Sequence, residues 1–440
     1  MPDSAHARDS GLLGRLTREL GLDARRFDAV TPSPAPLPSR LSVGELAWSS
    51  AAMAGAALAS GPPSSPEPGL VAAAYRSDRH LRIDGRSPEV WSPLSGFWRT
   101  ADGWIRTHAN YPHHAAALHG SLGLADDAGP DDLAAVLQAM TATQAASAIT
   151  AAAGIGVVVR PEDPHADEVL RRHPLIALTP LRDGPRRPLT GDAALPLAGI
   201  RVLDLTRVLA GPVATRTLAL AGADVLRIDP PGNAEIPLQH LDTGHGKRTA
   251  LLDIAAEPRR FDRLLADADV LVLGYRRSGL RRLGLDPREL ADRHPHLVIA
   301  QLSAWPGPDS PRGFDSIVQA DCGISWIESA DGTSPGALPA QALDHSAGYL
   351  LAAGIAVAVR RRSDHGGAWY VRTSLRRVAA ELLGMPRSEP TQTAQEHPRT
   401  QTFDVAGQQV TTVVPAVTWP GAPERFAAPR PWGADAAAWW

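Results

Sequence analysis

A single aspartate, Asp344, stands just ahead of a long apolar run in LPAQALDHSAGYLLAAGIAVAVRRR, residues 338–362. A carboxylate at a helix N-terminus has two readings that periodicity does not separate. It is an N-cap that accepts a backbone N–H, worth about 1 kcal/mol, or a nucleophile toward a thioester or other activated acyl group. A second segment, LTRVLAGPVATRTLALAGADVLRID (205–229), reads as strand, tight turn, helix and strand. A turn that feeds a helix N-terminus presents free N–H groups and the positive end of the dipole to an anion. It lacks GxGxxG, and Asp229 alone at the end of its second strand is weak support for a dinucleotide, so an ordinary turn without ligand stays equally open. A third, GYRRSGLRRLG (274–284), places Arg276, Arg277, Arg281 and Arg282 just past a strand end. Guanidinium groups there could hold a phosphorylated ligand bidentately, or could form a solvated helix face.

His108, His113 and His114 in THANYPHH have no carboxylate or cysteine at a regular spacing, so a metal cluster is a poor reading. No GxSxG elbow, GxxxxGK[ST] loop or HExxH is present, against a serine hydrolase, a P-loop NTPase and a zincin.

Short apolar runs at 200–205, 224–229, 249–254, 269–275 and 297–305 alternate with helical segments from Ile200 onward. That alternation predicts βαβ units and a doubly wound parallel sheet, an α/β fold. Asp286-Pro287-Arg288-Glu289 supplies an N-cap, Pro at N1 and Glu at N3. A last long helix is expected over about Ser346 to Arg361, directly after Asp344. Pro-rich stretches divide the chain into an N-terminal helix and linker (1–40), a smaller α+β domain (41–190), the parallel-sheet domain (196–385) and a Pro-rich C-terminal segment (386–440).

At 440 residues the chain is about three times the ~150 of a typical domain. With 44% hydrophobic and 21% charged residues it reads as folded and soluble. Its net charge of -3 offers no basic field for nucleic acid. The longest apolar run, Ala347 to Val359, suits a buried core helix better than a membrane span. Charges of both signs at the N-terminus, without an apolar h-region, argue against a secretory signal, so a cytoplasmic location is expected. The lone Cys322 supports neither an intrachain disulfide nor a thiolate metal site. Of 44 basic residues only Lys247 is lysine.

Six segments in order, PLAGIRVLDLTRVLAGPVATRTLALAGADVLRID, GKRTALLDI, ADVLVLGYRRSGLRRLGLDP, LVIAQLSAW, GFDSIVQADCGI and ALDHSAGYLLAAGIAVAVRRR, resemble the family III CoA-transferases of the CaiB/BaiF type. The resemblance runs from about Pro196 to Leu383. It implies a Rossmann-like CoA-binding domain, coenzyme A as thioester substrate without a metal, an acyl-CoA and a carboxylic acid as partners, and a homodimer. The family's nucleophilic aspartate falls on Asp344. Its CoA contacts fall on Arg207, Val208, Leu209, Lys247, Gly274, Tyr275, Arg282 and Arg312.

Departures from the family pattern qualify the expected activity. Pro230 stands where the family commonly has a phosphate-contacting Arg. Leu209 replaces the Gln of formyl- and oxalyl-CoA enzymes, and Phe314 replaces the His of the racemase branch. The family's smaller second domain is resembled by residues 101–181, ahead of the Rossmann-like half, so the order is permuted. A CoA-transferase is the leading expectation, a CoA-binding protein without turnover the alternative, and an acyl-CoA racemase or isomerase a third.

Overall fold

The computed structural model describes residues 11–307, 310–390 and 398–439. Thirteen strands are found among them: β1 (Arg82–Ile83), β2 (Phe97–Arg99), β3 (Trp104–Thr107), β4 (Gly156–Val158), β5 (Ala177–Arg182), β6 (Arg201–Leu205), β7 (Asp224–Asp229), β8 (Lys247–Leu251), β9 (Val270–Leu273), β10 (Val298–Ser303), β11 (Ala368–Ser374), β12 (Thr400–Val405) and β13 (Gln408–Val413). The helices that carry the argument are α1 (Leu12–Leu20), α2 (Val43–Leu58), α3 (Pro112–Leu122), α4 (Ala210–Leu220), α5 (Asp315–Asp321), α6 (Ala342–His365) and α7 (Leu375–Gly384).

The central sheet has seven strands in the order β5-β11-β10-β9-β6-β7-β8. All neighbours are parallel except β5, which runs antiparallel to β11. The parallel part of the sheet starts at β6, winds out through β7 and β8, then returns to the far side of β6 with β9, β10 and β11. The order therefore reverses between β6 and β9, and in such sheets a crevice opens beyond the carboxyl ends of those two strands.

Alternation along each strand explains why both faces are covered. Val202, Val225, Val270 and Val298 point into a core shared with α2, α4 and α6, while their neighbours Leu203, Leu226, Leu271 and Ile299 join Phe261, Leu264, Leu265 and Leu290 on the other face. Strands buried on both sides read as near-continuous apolar runs, which is how this sequence announces them.

The apolar segment expected to start at Ser346 is part of a longer helix. α6 begins at Ala342 with Gln341 as its N-cap, so Asp344 sits in its first turn and is not the cap. The 24-residue helix is long and apolar enough to cross a membrane, yet it is buried inside the protein between α2, α4 and the sheet. Two glycines permit this. A Cβ on Gly348 would lie 2.5 Å from the Ala210 carbonyl oxygen of α4, and one on Gly354 would lie 2.6 Å from a Val371 methyl of β11.

The smaller domain is tighter than its expected span of 41–190. β2, β3 and β4 form an antiparallel sheet, and Leu94, Ile105, Leu118, Leu133, Leu137 and Ile149 make its own core. α2, expected within this domain, packs instead on α6, because a helix apolar on nearly every side needs a core on every side. β5, also read as small-domain sequence, pairs with β11 and closes the sheet's edge. β8 starts at Lys247, two residues before the expected run. The Pro-rich C-terminal segment is structured where described: β12 and β13 form a hairpin joined by β1, and Trp419 is buried in the main core.

Gly348→Ala tests the close approach of α6 to α4. Alanine in a helix interior normally gains about 1 kcal/mol over glycine. Here the added Cβ meets backbone rather than a flexible side chain, and overpacking costs about 1–3 kcal/mol. The expected net outcome is a lower denaturation midpoint in urea at unchanged m.

Candidate active site

Four elements converge where the strand order reverses. The turn after β6 contributes Arg207, Val208 and Leu209, the turn after β9 contributes Gly274, Tyr275, Arg276 and Arg277, β10 ends in Ser303, and α6 contributes Asp344. They line a cavity of about 320 Å³. Its remaining wall comes from the smaller domain of the same chain, through Tyr111, His113, His114 and Ile155. Asp344 is the one carboxylate among the described lining residues, facing four arginines, Arg207, Arg276, Arg277 and Arg312.

Asp344 is held from behind. Its backbone N–H donates to Asp315 Oδ2 at 3.0 Å, and Gln319 of the same helix α5 donates its amide to the other Asp315 oxygen. Gln319 in turn accepts the Leu338 N–H at 2.9 Å, just upstream of α6. Asp315 thus takes the capping role that was one of the two sequence readings of Asp344. Burial pushes the Asp344 carboxyl well above the ordinary carboxylate range, and the neighbouring Asp315 pushes it further the same way. Asp315 is raised to about 6 by burial, opposed by the amides of Asp344 and Leu343 and by Gln319. With those donors, Asp315 ionises first and Asp344 keeps the proton.

The turn after β6 carries backbone strain. Val208 has φ +69°, a conformation costly for a β-branched residue. It is held there by Glu235, whose Oε2 accepts the Val208 N–H at 3.0 Å. Glu235 also accepts from Arg227 at 2.7 Å and from the Tyr111 hydroxyl, and lies 3.5 Å from the Arg207 guanidinium. Burial alone would raise its carboxyl, but Arg227 and Arg207 outweigh it and hold the pKa at about 2. An amide expected to face a ligand anion is therefore already paired within the protein. Arg207 is anchored too, donating to the Ala234 carbonyl and lying 4.8 Å over the Tyr111 ring. Asp229 accepts from Arg227 and from the Trp432 indole, so no free carboxylate remains there for a ribose.

Of the sequence-derived contact residues, Arg207, Val208, Leu209, Gly274, Tyr275 and Arg312 line the cavity with Asp344; Arg282 and Lys247 do not. Arg282 lies on the exposed side of the short helix Arg277–Arg282. Lys247 is 2% exposed. Its ammonium donates to Asp204 Oδ2 at 3.2 Å and to the Pro212 carbonyl at 2.9 Å, fastening the first turn of α4 to β6. Burial lowers its pKa to about 8 against the pull of Asp204.

Sequence reasoning offered Arg276 and Arg277 only as two of four equivalent arginines and did not carry them into the site, and it weighed His108, His113 and His114 only as a metal cluster, not as a wall of this cavity. His108 stacks on Phe314 at 3.8 Å between centroids, and His114 meets the same ring edge-on. Burial holds His108 at about 3 and His114 at about 4, so both imidazoles are neutral at ordinary pH. No group of residues suited to a metal ion is found among the described residues.

Lys247→Met should destabilise the fold by about 3 kcal/mol, since it leaves Asp204 buried beside only Thr206 and Thr215. Chemical denaturation checks the stability, and calorimetry with CoA should show an unchanged dissociation constant for the folded fraction.

Comparison with known proteins places the chain. Residues 197–416, half of its length, match the model of CoA-transferase family III. It is similar to the probable fatty acyl-CoA transferase Rv3272 of Mycobacterium tuberculosis, 32% identical over 44% of this chain and 54% of that protein. It is similar also to a cinnamoyl-CoA:phenyllactate CoA-transferase of Clostridium sporogenes, 31% identical over 43% of this chain and 51% of that one. The chain spans about half the length of these relatives. Among solved structures, a CAIB/BAIF family protein from Brucella suis aligns over 49% of this chain and 65% of its own, with 24% identity and a TM-score of 0.41. On the extent of the family match, this chain belongs to CoA-transferase family III.

Proposed function

We propose that the protein moves CoA between an acyl-CoA thioester and a carboxylic acid through a covalent intermediate on Asp344. The observation that carries this is Asp344 itself, the one carboxylate lining an arginine-rimmed cavity at the sheet's switch point in a family III chain. In the proposed sequence a carboxylate oxygen of Asp344 attacks the thioester carbonyl. The C–S bond breaks, CoA leaves as thiolate, and an acyl-aspartyl anhydride remains. The thiolate attacks the aspartyl carbonyl, releasing the donor acid and leaving an aspartyl-CoA thioester. An acceptor carboxylate displaces the thiolate to form a second anhydride, and thiolate attack on its acyl carbonyl regenerates Asp344. Splitting the exchange this way replaces one hard step by easier ones, and a desolvated carboxylate is a stronger nucleophile than a hydrated one. The cytoplasmic homodimer belongs to this reading through the sequence and the family resemblance, while the cavity draws both of its walls from one chain.

One observation favours a second reading, CoA binding without turnover: Glu235 already occupies the Val208 amide. Mixing the protein with candidate acyl-CoA thioesters and hydroxylamine separates the two. The expected result is a hydroxamate on Asp344 by mass spectrometry and a loss of transfer of at least about a thousandfold in Asp344→Ala. CoA binding with no hydroxamate across a broad acyl panel would favour the second reading.

The raised Asp344 pKa fixes a pH dependence. The folded state holds a proton that the unfolded chain releases above the ordinary carboxylate range, so this group's contribution to stability falls as pH rises toward its folded pKa. Asp344→Asn should therefore raise the thermal midpoint by a few degrees at pH 8 and leave it near wild type at pH 5. In the wild type, hydroxamate formation should rise with pH over the same range as the nucleophile ionises.

A further inference from the structure

A second cavity, also of about 320 Å³, opens beside the first at the carboxyl ends of β10 and β11 and shares Arg277 and Ser303 with it. Its charged lining is of one sign. Arg277, Arg372 and Arg377 face it, together with hydroxyls of Ser303 and Tyr370, and no described lining residue carries a carboxylate. Neither Arg277 nor Arg372 has an ion-pair partner among the described residues, and Arg372 rests its guanidinium 5.4 Å over the Tyr370 ring.

Two buried donors in this wall have no hydrogen-bond partner. Gln301, 5% exposed, accepts the Tyr370 hydroxyl through Oε1 and leaves Nε2 unpaired. Arg377, 4% exposed, spends Nε on the His173 carbonyl at 3.0 Å and Nη1 on Glu381 at 2.9 Å, leaving Nη2 unpaired. A buried unpaired donor costs about 1–3 kcal/mol, and two in one wall call for a shared acceptor.

We propose that this cavity is a second anion subsite, which takes a carboxylate or phosphate group of a small molecule. The subsite stands on its own lining and does not require Asp344 chemistry. Its ligand group comes either from the far end of a doubly acidic acid substrate or from a phosphate of the nucleotide, and Arg277, lining both cavities, makes each source reachable from the first.

Calorimetric titration of the full chain with inorganic phosphate, succinate, CoA and 3′-dephospho-CoA tests it. The variants are Arg372→Ala, which removes a surface-facing cation, and Gln301→Met, which removes a buried donor without changing charge. At least one anion should bind about tenfold more weakly to each variant, the loss expected of one charge-assisted hydrogen bond. A loss confined to succinate identifies the acid substrate. A loss for CoA but not for 3′-dephospho-CoA identifies the nucleotide phosphate. If no anion binds, or if both variants bind all four as the wild type does, the subsite is refuted. Should CoA fail to bind while phosphate or succinate binding stays sensitive to both substitutions, the transferase reading fails and the subsite stands.

Discussion

The constraint on which the structure turns is the burial, on every side, of the stretch from Ala342 to Val359 in the 24-residue helix α6. Such a stretch has no solvent face, so it must be enclosed by α2, α4 and the sheet. Enclosure in turn demands glycine where backbones approach, and Gly348 and Gly354 supply it. Once α6 is seated against α4, its first turn is fixed at the mouth of the β6–β9 crevice. Asp344 is in that first turn. Its position is thus a consequence of packing along the whole helix, with Asp315 accepting the Asp344 amide as the last fastening.

The charges around the cavity fall into two groups with different physics. Behind the wall, Lys247–Asp204 and Arg227–Asp229–Glu235 are desolvated and paired, with Arg227 Nη1 left without a hydrogen bond, and each ties consecutive elements together. Pairs of that kind fix geometry more than they add stability. At the wall, Arg276, Arg277 and Arg312 keep some exposure, and Asp344 sits below them with its charge opposed by burial. A ligand that brings negative charge to the rim and covers Asp344 meets both features of such a site: anion recognition outside and a desolvated carboxyl group within.

Much of this was legible in sequence, and what was not has particular reasons. The parallel sheet was readable because strands buried on both faces are continuously apolar. Asp344 was readable because its surroundings match a family pattern. Lys247 stood out as the lone lysine and was expected at the ligand; it is a strut instead, because β8 starts two residues early and turns its side chain under the β6–α4 turn. Arg282 and Arg277 are five residues apart and chemically identical, and only the short helix carrying both decides which faces the cavity. α2 carries no periodic signal to say which core it joins, since a helix apolar all round fits any core. The histidine wall was invisible because its meaning comes from Phe314, some two hundred residues away in sequence.

The order of elements along the chain has a physical consequence for the cavity. The chain leaves the main core after Tyr75, builds the smaller domain and returns through β5, which pairs with β11 in the central sheet. The smaller domain is therefore tethered at both ends, and its β4 segment is bonded to α5 through the Arg160 amide and the Ala320 carbonyl. Two tethers and this bond together restrict the orientations open to the smaller domain. That permits the small-domain Tyr111 hydroxyl to reach Glu235 and so join the network that holds the strained Val208 turn. The wall bearing Tyr111, His113 and His114 is thereby tied to the Val208 turn through one buried carboxylate, Glu235. A displacement of the smaller domain that broke the Tyr111–Glu235 bond would remove one of the partners of the carboxylate that holds this turn. The chain order therefore links the position of the smaller domain to the geometry of the Val208 turn.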